Sequence, residues 1–339
     1  MEAKKILYIG NNLSKERSTV TTIATLSSAL RKEGVVVYIS SSVPNKMFRF
    51  LDMLLSTFIY RNKVDLVLID TYSTQNFYYA VAVAKLCRFF KLPYIPILHG
   101  GDLPSRLDKS PGLSKKLFEG AKTNVTPSRY LFEAFKAKGY HKLALIPNTI
   151  EIGNYPFLRR KKPQAKLLWV RSFSSIYNPL LAIEVMKLLK EQGVNSSLCM
   201  VGPEKDGSLA KCKMEAEKHG LAVTFTGKLT QSEWTSLAAE YDIFINTTNF
   251  DNTPVSVMEA MALGLGIVST NVGGIPYLID HNETGILVSP NNAQDFVNAI
   301  VELVTNDSLF ESLTSKARQM VEVLDWHKVK KQWLALITN

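Results

Sequence analysis

Cysteine is scarce in this chain. The 339 residues hold three, Cys87, Cys199 and Cys212, without the close spacing of a metal site or redox pair. That scarcity points to a reducing compartment. No apolar run approaches the roughly 20 residues of a membrane-spanning helix. The first ten residues enter a strand pattern at once and lack the apolar core of a secretory signal, so a cytoplasmic protein is expected. Gly-x-Gly-x-x-Gly is missing, which argues against an oxidoreductase made of two nicotinamide-binding halves. No Asp-x-Asp pair offers itself to a divalent ion. There is no internal repeat, no low-complexity segment, and no interleaved aromatic-basic stripe of a nucleic-acid binder.

What is present describes an ordinary globular chain of about two domains' length. Hydrophobic residues make up 46% and charged residues 21%, enough for real cores. The net charge of +10 is uneven. Through Ile150 there are 22 Lys and Arg against 10 Asp and Glu; the remainder has 18 against 20. The first half therefore suits a polyanionic partner or an anionic membrane surface, or is simply basic.

Strand and helix patterns alternate throughout. In the first half, strands are predicted at 4–10, 35–39, 64–69, 93–98 and 143–146, with helices at 19–32, 46–60, 76–90 and one opened by 125–128 and running to about 138. The helix at 46–60 carries Met47, Leu51, Leu54, Leu55 and Phe58 on one stripe, with Lys46, Arg49, Arg61 and Lys63 at or near its ends. That pattern suits a core helix of an α/β domain and also an interfacial helix. His99-Gly100-Gly101-Asp102 follows an apolar strand. The next stretch, 103–116, is basic through Arg106, Lys109, Lys115 and Lys116 and is expected to be a loop facing an acceptor. Arg159-Arg160-Lys161-Lys162-Pro163 has no apolar period and is predicted to be a linker. Strands follow at 165–170, 197–201, 223–228, 242–245, 267–269 and 286–288.

The most informative stretch is 241–290. An apolar strand leads to a polar loop, and a helix follows with Thr253 as expected N-cap, Pro254 at the first helical position and Glu259 on the second turn. Gly264 and Gly266 are expected to end that helix. Strand, helix and strand make one βαβ unit, whose ligands bind beyond the carboxyl ends of the strands. The helix start suits a diphosphate. Glu259 cannot favour a phosphate but can accept hydrogen bonds from a sugar's vicinal hydroxyls.

The run Asp251-Asn252-Thr253-Pro254-Val255-Ser256-Val257-Met258-Glu259-Ala260-Met261-Ala262-Leu263-Gly264, with Ser269-Thr270-Asn271-Val272-Gly273-Gly274-Ile275-Pro276, resembles the donor site of retaining glycosyltransferases of family 4. The resemblance implies an α/β protein of the GT-B fold, two doubly wound Rossmann-like domains facing a central cleft. Its boundaries would be 1–158 for an acceptor-side domain, 159–164 for a linker and 165–325 for a nucleotide-sugar donor domain. The helix of 326–339 would return to the first domain. The family's Glu-x7-Glu pair falls on Asp251 and Glu259, so Asp251 would touch the transferred sugar and Glu259 the ribose. Arg171, at a strand end, matches the arginine that clamps the donor diphosphate. The lysine about six residues on falls on Tyr177, which donates one hydrogen bond but no charge; Lys228 and Lys205 are candidate substitutes. Thr253, Pro254, Val255 and Ser256 would line the phosphates, Gly202 lies at a strand end, and Gly227 and Lys228 would pack near the base. His99 would lie by the donor sugar, with Gly100, Asp102 and Arg106 on the acceptor side. No nucleophile is assigned. The implied reaction is sugar transfer, with retained configuration, from a nucleoside diphosphate sugar to a glycan or lipid-linked hydroxyl in surface-polysaccharide or glycolipid synthesis. No metal or other cofactor, no nucleic acid, and peripheral contact with an anionic membrane through the basic half are expected. The alternative, favoured by Tyr177, is a nucleotide-sugar-binding subunit without turnover.

Overall fold

Apolar runs of four to six residues become parallel strands covered on both faces, as their unbroken hydrophobicity requires. In this computed structural model, which describes residues 3–12 and 22–338, the chain forms two compact units, Met1–Pro147 with Trp326–Asn339, and Asn148–Asp325. The loop and helix start predicted across 13–21 lie outside the described residues.

The first unit runs β1 (Lys5–Ile9), α1 (Thr22–Lys32), β2 (Val36–Ser40), α2 (Lys46–Tyr60), β3 (Leu66–Thr71), α3 (Asn76–Phe89), β4 (Tyr94–Leu98), α4 (Leu103–Lys109), α5 (Pro111–Phe118), β5 (Asn124–Thr126), α6 (Arg129–Ala137) and β6 (Leu143–Leu145). Its six strands are parallel in the order β2-β1-β3-β4-β5-β6. The order reverses between β1 and β3, so Gly10 and Asp70 to Thr71 stand at the topological switch point.

The second unit runs β7 (Ala165–Val170), α7 (Pro179–Glu191), β8 (Ser196–Val201), α8 (Ser208–Lys218), β9 (Val223–Gly227), α9 (Gln231–Leu237), β10 (Ile243–Asn246), α10 (Val255–Ala262), β11 (Gly266–Thr270), β12 (Ile286–Val288), α11 (Ala293–Thr305) and α12 (Asp307–Glu322). Its parallel sheet has the order β12-β11-β10-β7-β8-β9, with the switch between β7 and β10. The chain then closes with α13 (Trp326–Thr338), which packs in the first unit. There Trp326 and Trp333 are buried against Ile6, Leu30 and Ile95, and Lys330 pairs with Glu33 at 3.0 Å.

Several expectations are corrected. The supposed loop at 103–116 is two short helices, because Leu103, Leu107, Leu117 and Phe118 each have a core to enter. Of residues 125–128, expected to open a helix, the first two belong to β5 and the helix begins at Arg129. Residues 148–164, assigned to the first domain and a linker, pack with the second unit. Tyr155 is buried there, and the Arg160 guanidinium bonds the carbonyls of Leu158, Ala238, Tyr241, Leu263 and Gly264. That guanidinium gathers five carbonyls from separate stretches of the second unit, so the basic run is a clasp. Helix α2 buries Arg49, Met53 and Thr57, and its apolar stripe, apart from the half-buried Leu54, faces solvent. A period in the sequence defines a face without saying where that face points. No helix among the described residues is long and apolar enough to cross a membrane.

Candidate functional site

In the second unit, the strand ends β7, β8 and β9 meet at three residues. The Arg171 amide donates to Val201 O (3.0 Å), and the Gly202 amide donates to Gly227 O (2.8 Å). Gly202 has φ +155°, and a Cβ there would stand 1.6 Å from the Arg171 carbonyl oxygen. Only glycine permits that approach.

The Arg171 guanidinium pairs with the Asp251 carboxylate and lies 5.0 Å from the centroid of the Tyr177 ring. Its Nε is buried without a hydrogen-bond partner. Tyr177, where the resemblance calls for lysine, thus braces the cation that is already there. Its turn is tied down by Asp206, which accepts from the Ser175 amide at 2.7 Å. These bonds hold the Asp206 carboxyl well below the usual range. Asp251 also accepts from the Asn252 amide (2.7 Å), and its carbonyl accepts from the Gly274 amide (2.9 Å). A Cβ at Gly274 would sit 1.9 Å from Asn252 O, so the glycine pair lies flush against the loop bearing Asp251.

Helix α10 starts one residue later than expected. Pro254 is extended (φ −70°, ψ 114°) and occupies the N-cap, and no side chain caps the helix; Thr253 lies outside it. The leading turn's orphan amides are therefore unmet by any cap. Val255 is exposed, and the Ser256 hydroxyl is buried without a partner. Gly264, at φ +78°, terminates the helix, whereas Gly266 lies within β11.

Glu259 is 8% exposed. The Tyr155 hydroxyl (2.6 Å) and Gln231 Nε2 (3.1 Å) both donate to its Oε1, leaving Oε2 without a partner among the described residues. Burial raises the Glu259 carboxyl above its ordinary value, while Tyr155, Gln231 and the charge of Arg171 partly offset that rise. Burial, then Glu259 itself, raises the Tyr155 hydroxyl. Lys228 and Lys205 are exposed.

In the first unit, His99 Nε2 stands 2.7 Å from Asp70 Oδ1, which also accepts from the Tyr8 hydroxyl at 2.8 Å. Asp70 is buried at the switch point, and a Cβ on Gly10 would meet its Oδ2 at 2.3 Å. The Tyr72 ring is 5.4 Å from that of His99. Gly100 presses on the Ser73 amide, where a Cβ would stand at 2.6 Å. Arg106 donates two bonds to Ser73 O, 2.8 Å and 2.5 Å, so its guanidinium braces this loop. Asp102 is exposed at the start of α4 and accepts from Ser105 (2.6 Å).

The structure thus gathers Arg171, Asp251 and Tyr177 with Gly202 and Gly227, and places Glu259 within electrostatic reach of Arg171. It sets His99 on an acid the sequence reading passed over. Asp70, Tyr8, Tyr155 and Gln231 were all missed. An acid directly after the predicted buried strand 64–69 was the available signal for Asp70. Tyr155 and Gln231 carry none, since they lie 104 and 28 residues from Glu259.

Residues 155–320 match the model of the family described as glycosyl transferases group 1. Among curated proteins, sulfoquinovosyl transferase SQD2 of Arabidopsis thaliana is 28% identical over 148 residues, 43% of this chain and 28% of that protein. The amylovoran biosynthesis glycosyltransferase AmsK of Erwinia amylovora is 30% identical over 157 residues, 42% of this chain and 36% of that one. The chain therefore spans about a third of these relatives' lengths. The crystal structure of Anabaena HepE with UDP and glucose superposes with a TM-score of 0.77 at 16% identity, covering 99% of each chain. Two parallel six-stranded α/β units in one chain, matched over their whole length, make the fold GT-B.

Proposed function

We propose that this chain is a retaining glycosyltransferase of family 4, moving a sugar from a nucleoside diphosphate sugar to a hydroxyl acceptor in surface-polysaccharide or glycolipid synthesis. The observation that carries the reading is Glu259, a buried carboxylate with one oxygen unmatched, on the second turn of the uncapped helix α10. Vicinal ribose hydroxyls suit Glu259. Diphosphate oxygens suit the α10 amides, the unpartnered Ser256 hydroxyl and Arg171, whose Nε still has a proton to donate. As the bond from the anomeric carbon to the leaving oxygen breaks, negative charge grows on the diphosphate, and these donors and the helix dipole stabilise it. Asp251, held by Arg171, serves as a sugar-positioning group. The Asp70 carboxylate orients the His99 ring. HepE was solved with UDP and glucose, which supports a nucleotide-sugar donor here, and AmsK is named for amylovoran biosynthesis, which supports a role in polysaccharide synthesis. In this reading Arg171, the amides and the dipole meet the leaving charge without a metal.

The test is a thermal-shift screen of nucleotide sugars followed by assay of nucleotide release. A donor at a hundredfold excess over its Kd adds about 2.7 kcal/mol of stability. Arg171→Ala should weaken nucleoside diphosphates at least about tenfold more than the free nucleoside, since it removes a charged phosphate contact. Equal weakening of both refutes the assignment. A parent protein that binds donor yet releases no nucleotide, with or without acceptors, refutes transfer and leaves a binding subunit.

A further inference from the structure

Helix α2 shows solvent the face that most helices bury. At 3.6 residues per turn, Met47, Phe48, Leu51, Leu55, Phe58 and Ile59 fall within about 120° of one another. These six are 45% to 64% exposed. The opposite face holds Arg49, Met53 and Thr57, with Arg49 Nη1 donating to Val43 O and Pro44 O at 3.1 Å each. The helix's one acid, Asp52, lies off the apolar stripe and accepts from the Ser40 hydroxyl at 3.0 Å. The patch continues onto α3: Phe58 meets Phe90 edge-on at 5.9 Å, and Phe89 beside it is 78% exposed. Cations frame it. The Arg61 guanidinium lies 4.0 Å from the Phe58 ring centroid, and Lys46, Lys63, Arg88 and Lys91 are exposed around the ends of α2 and α3.

We propose that this face docks on the interface of a lipid bilayer carrying anionic headgroups. The six apolar side chains would enter the boundary between headgroups and acyl chains, and the framing cations would meet lipid phosphates. Charge selects this occupant over a second copy of the chain. The first unit holds 25 Lys and Arg against 10 Asp and Glu, and the second 15 against 20. Pairing two such faces would bring like-charged frames together, whereas an anionic surface complements them. At 15 residues, α2 is of a length to lie in the interface rather than span it. The inference does not depend on the transfer reaction.

The test is co-sedimentation of the full chain with phosphatidylcholine vesicles, with and without phosphatidylglycerol, at low and high salt. Binding is expected to need phosphatidylglycerol and to weaken with salt. The double variant Leu51→Glu/Leu55→Glu should lose about tenfold or more in vesicle affinity, because it removes inserted apolar area and adds repulsion. Its melting temperature and nucleotide binding should stay at parental values, so failure here is separable from failure of the proposed chemistry. Lys46→Glu/Lys63→Glu should reduce the preference for phosphatidylglycerol. Absence of vesicle binding, or equal binding by the variants, overturns the proposal. So does a parental dimer in sedimentation velocity that Leu51→Glu/Leu55→Glu dissolves, which would assign the face to a second copy.

Discussion

Glu259→Gln isolates the charge of the proposed ribose-binding group from its shape. In the parent, Oε1 takes both hydrogen bonds, from Tyr155 and Gln231, and Oε2 takes none from the described residues. The amide oxygen of glutamine can replace Oε1, so packing survives and unliganded stability should hold or rise, since a buried charge is gone. Binding is another matter. Where a carboxylate oxygen would accept from a ribose hydroxyl, the variant presents an N–H donor. Losing a hydrogen bond to a charged group costs about 1.5–3 kcal/mol, which raises Kd roughly 10- to 150-fold. The pH response gives an independent reading. Burial raises the Glu259 carboxyl, so the folded protein binds its proton more tightly than the unfolded chain. That group's contribution to unliganded stability is fully present below the ordinary value of 4.5 and is lost as pH rises through the raised value. Nucleotide affinity runs the other way: it needs the ionised form and falls as pH drops through the raised value, sooner than for an ordinary glutamate. Calorimetric titration with the nucleotide found in the screen, across mildly acidic pH, measures this. The variant should bind weakly with a flatter profile. Parental affinity and slope in Glu259→Gln would refute the role of the carboxylate.

Tyr155→Phe removes the stronger donor to Glu259, so the acid half of the binding profile should move to higher pH; an unmoved profile counts against that hydrogen bond. Asp251→Asn weakens the hold on Arg171, so nucleoside diphosphate affinity should stay or rise while turnover falls on the order of a hundredfold; titration alongside release kinetics separates the two. Gly202→Ala drives a methyl into the Arg171 carbonyl at positive φ and should cost about 3 kcal/mol or more. That corresponds to a melting temperature about 6–12 °C lower for a unit of this size, by calorimetry.

Much of the scaffold was legible because parallel strands buried on both faces are written as unbroken apolar runs: 165–170 and 286–288 match β7 and β12 to the residue. Arg171 and the 251–276 segment could also be read, since strand end, loop and helix start are contiguous there. What escaped is long-range. Tyr155 reaches Glu259 across 104 residues, and Arg160 reaches carbonyls some 80 to 100 residues away. Arg160 sits in a run whose local composition reads as a tether, and Tyr155 lies just before it, in residues assigned to the first domain. Short helices such as α4 and α5 bury only two or three residues each, too few to show a period. In α2 the period was visible, but burial of an Arg and a Thr in place of its leucines is decided by neighbouring elements.

The route of the chain through its two units has a consequence for biosynthesis. The second unit, Asn148–Asp325, is one uninterrupted stretch that precedes α13 in the chain. The first is not, although most of it leaves the ribosome earlier. Until Trp326 and Trp333 arrive to cover Ile6, Leu30 and Ile95, that flank of its sheet lies bare. Residues 1–147 are thus made before the second unit yet close only after it, and in that interval their uncovered strands are open to chaperone capture or aggregation.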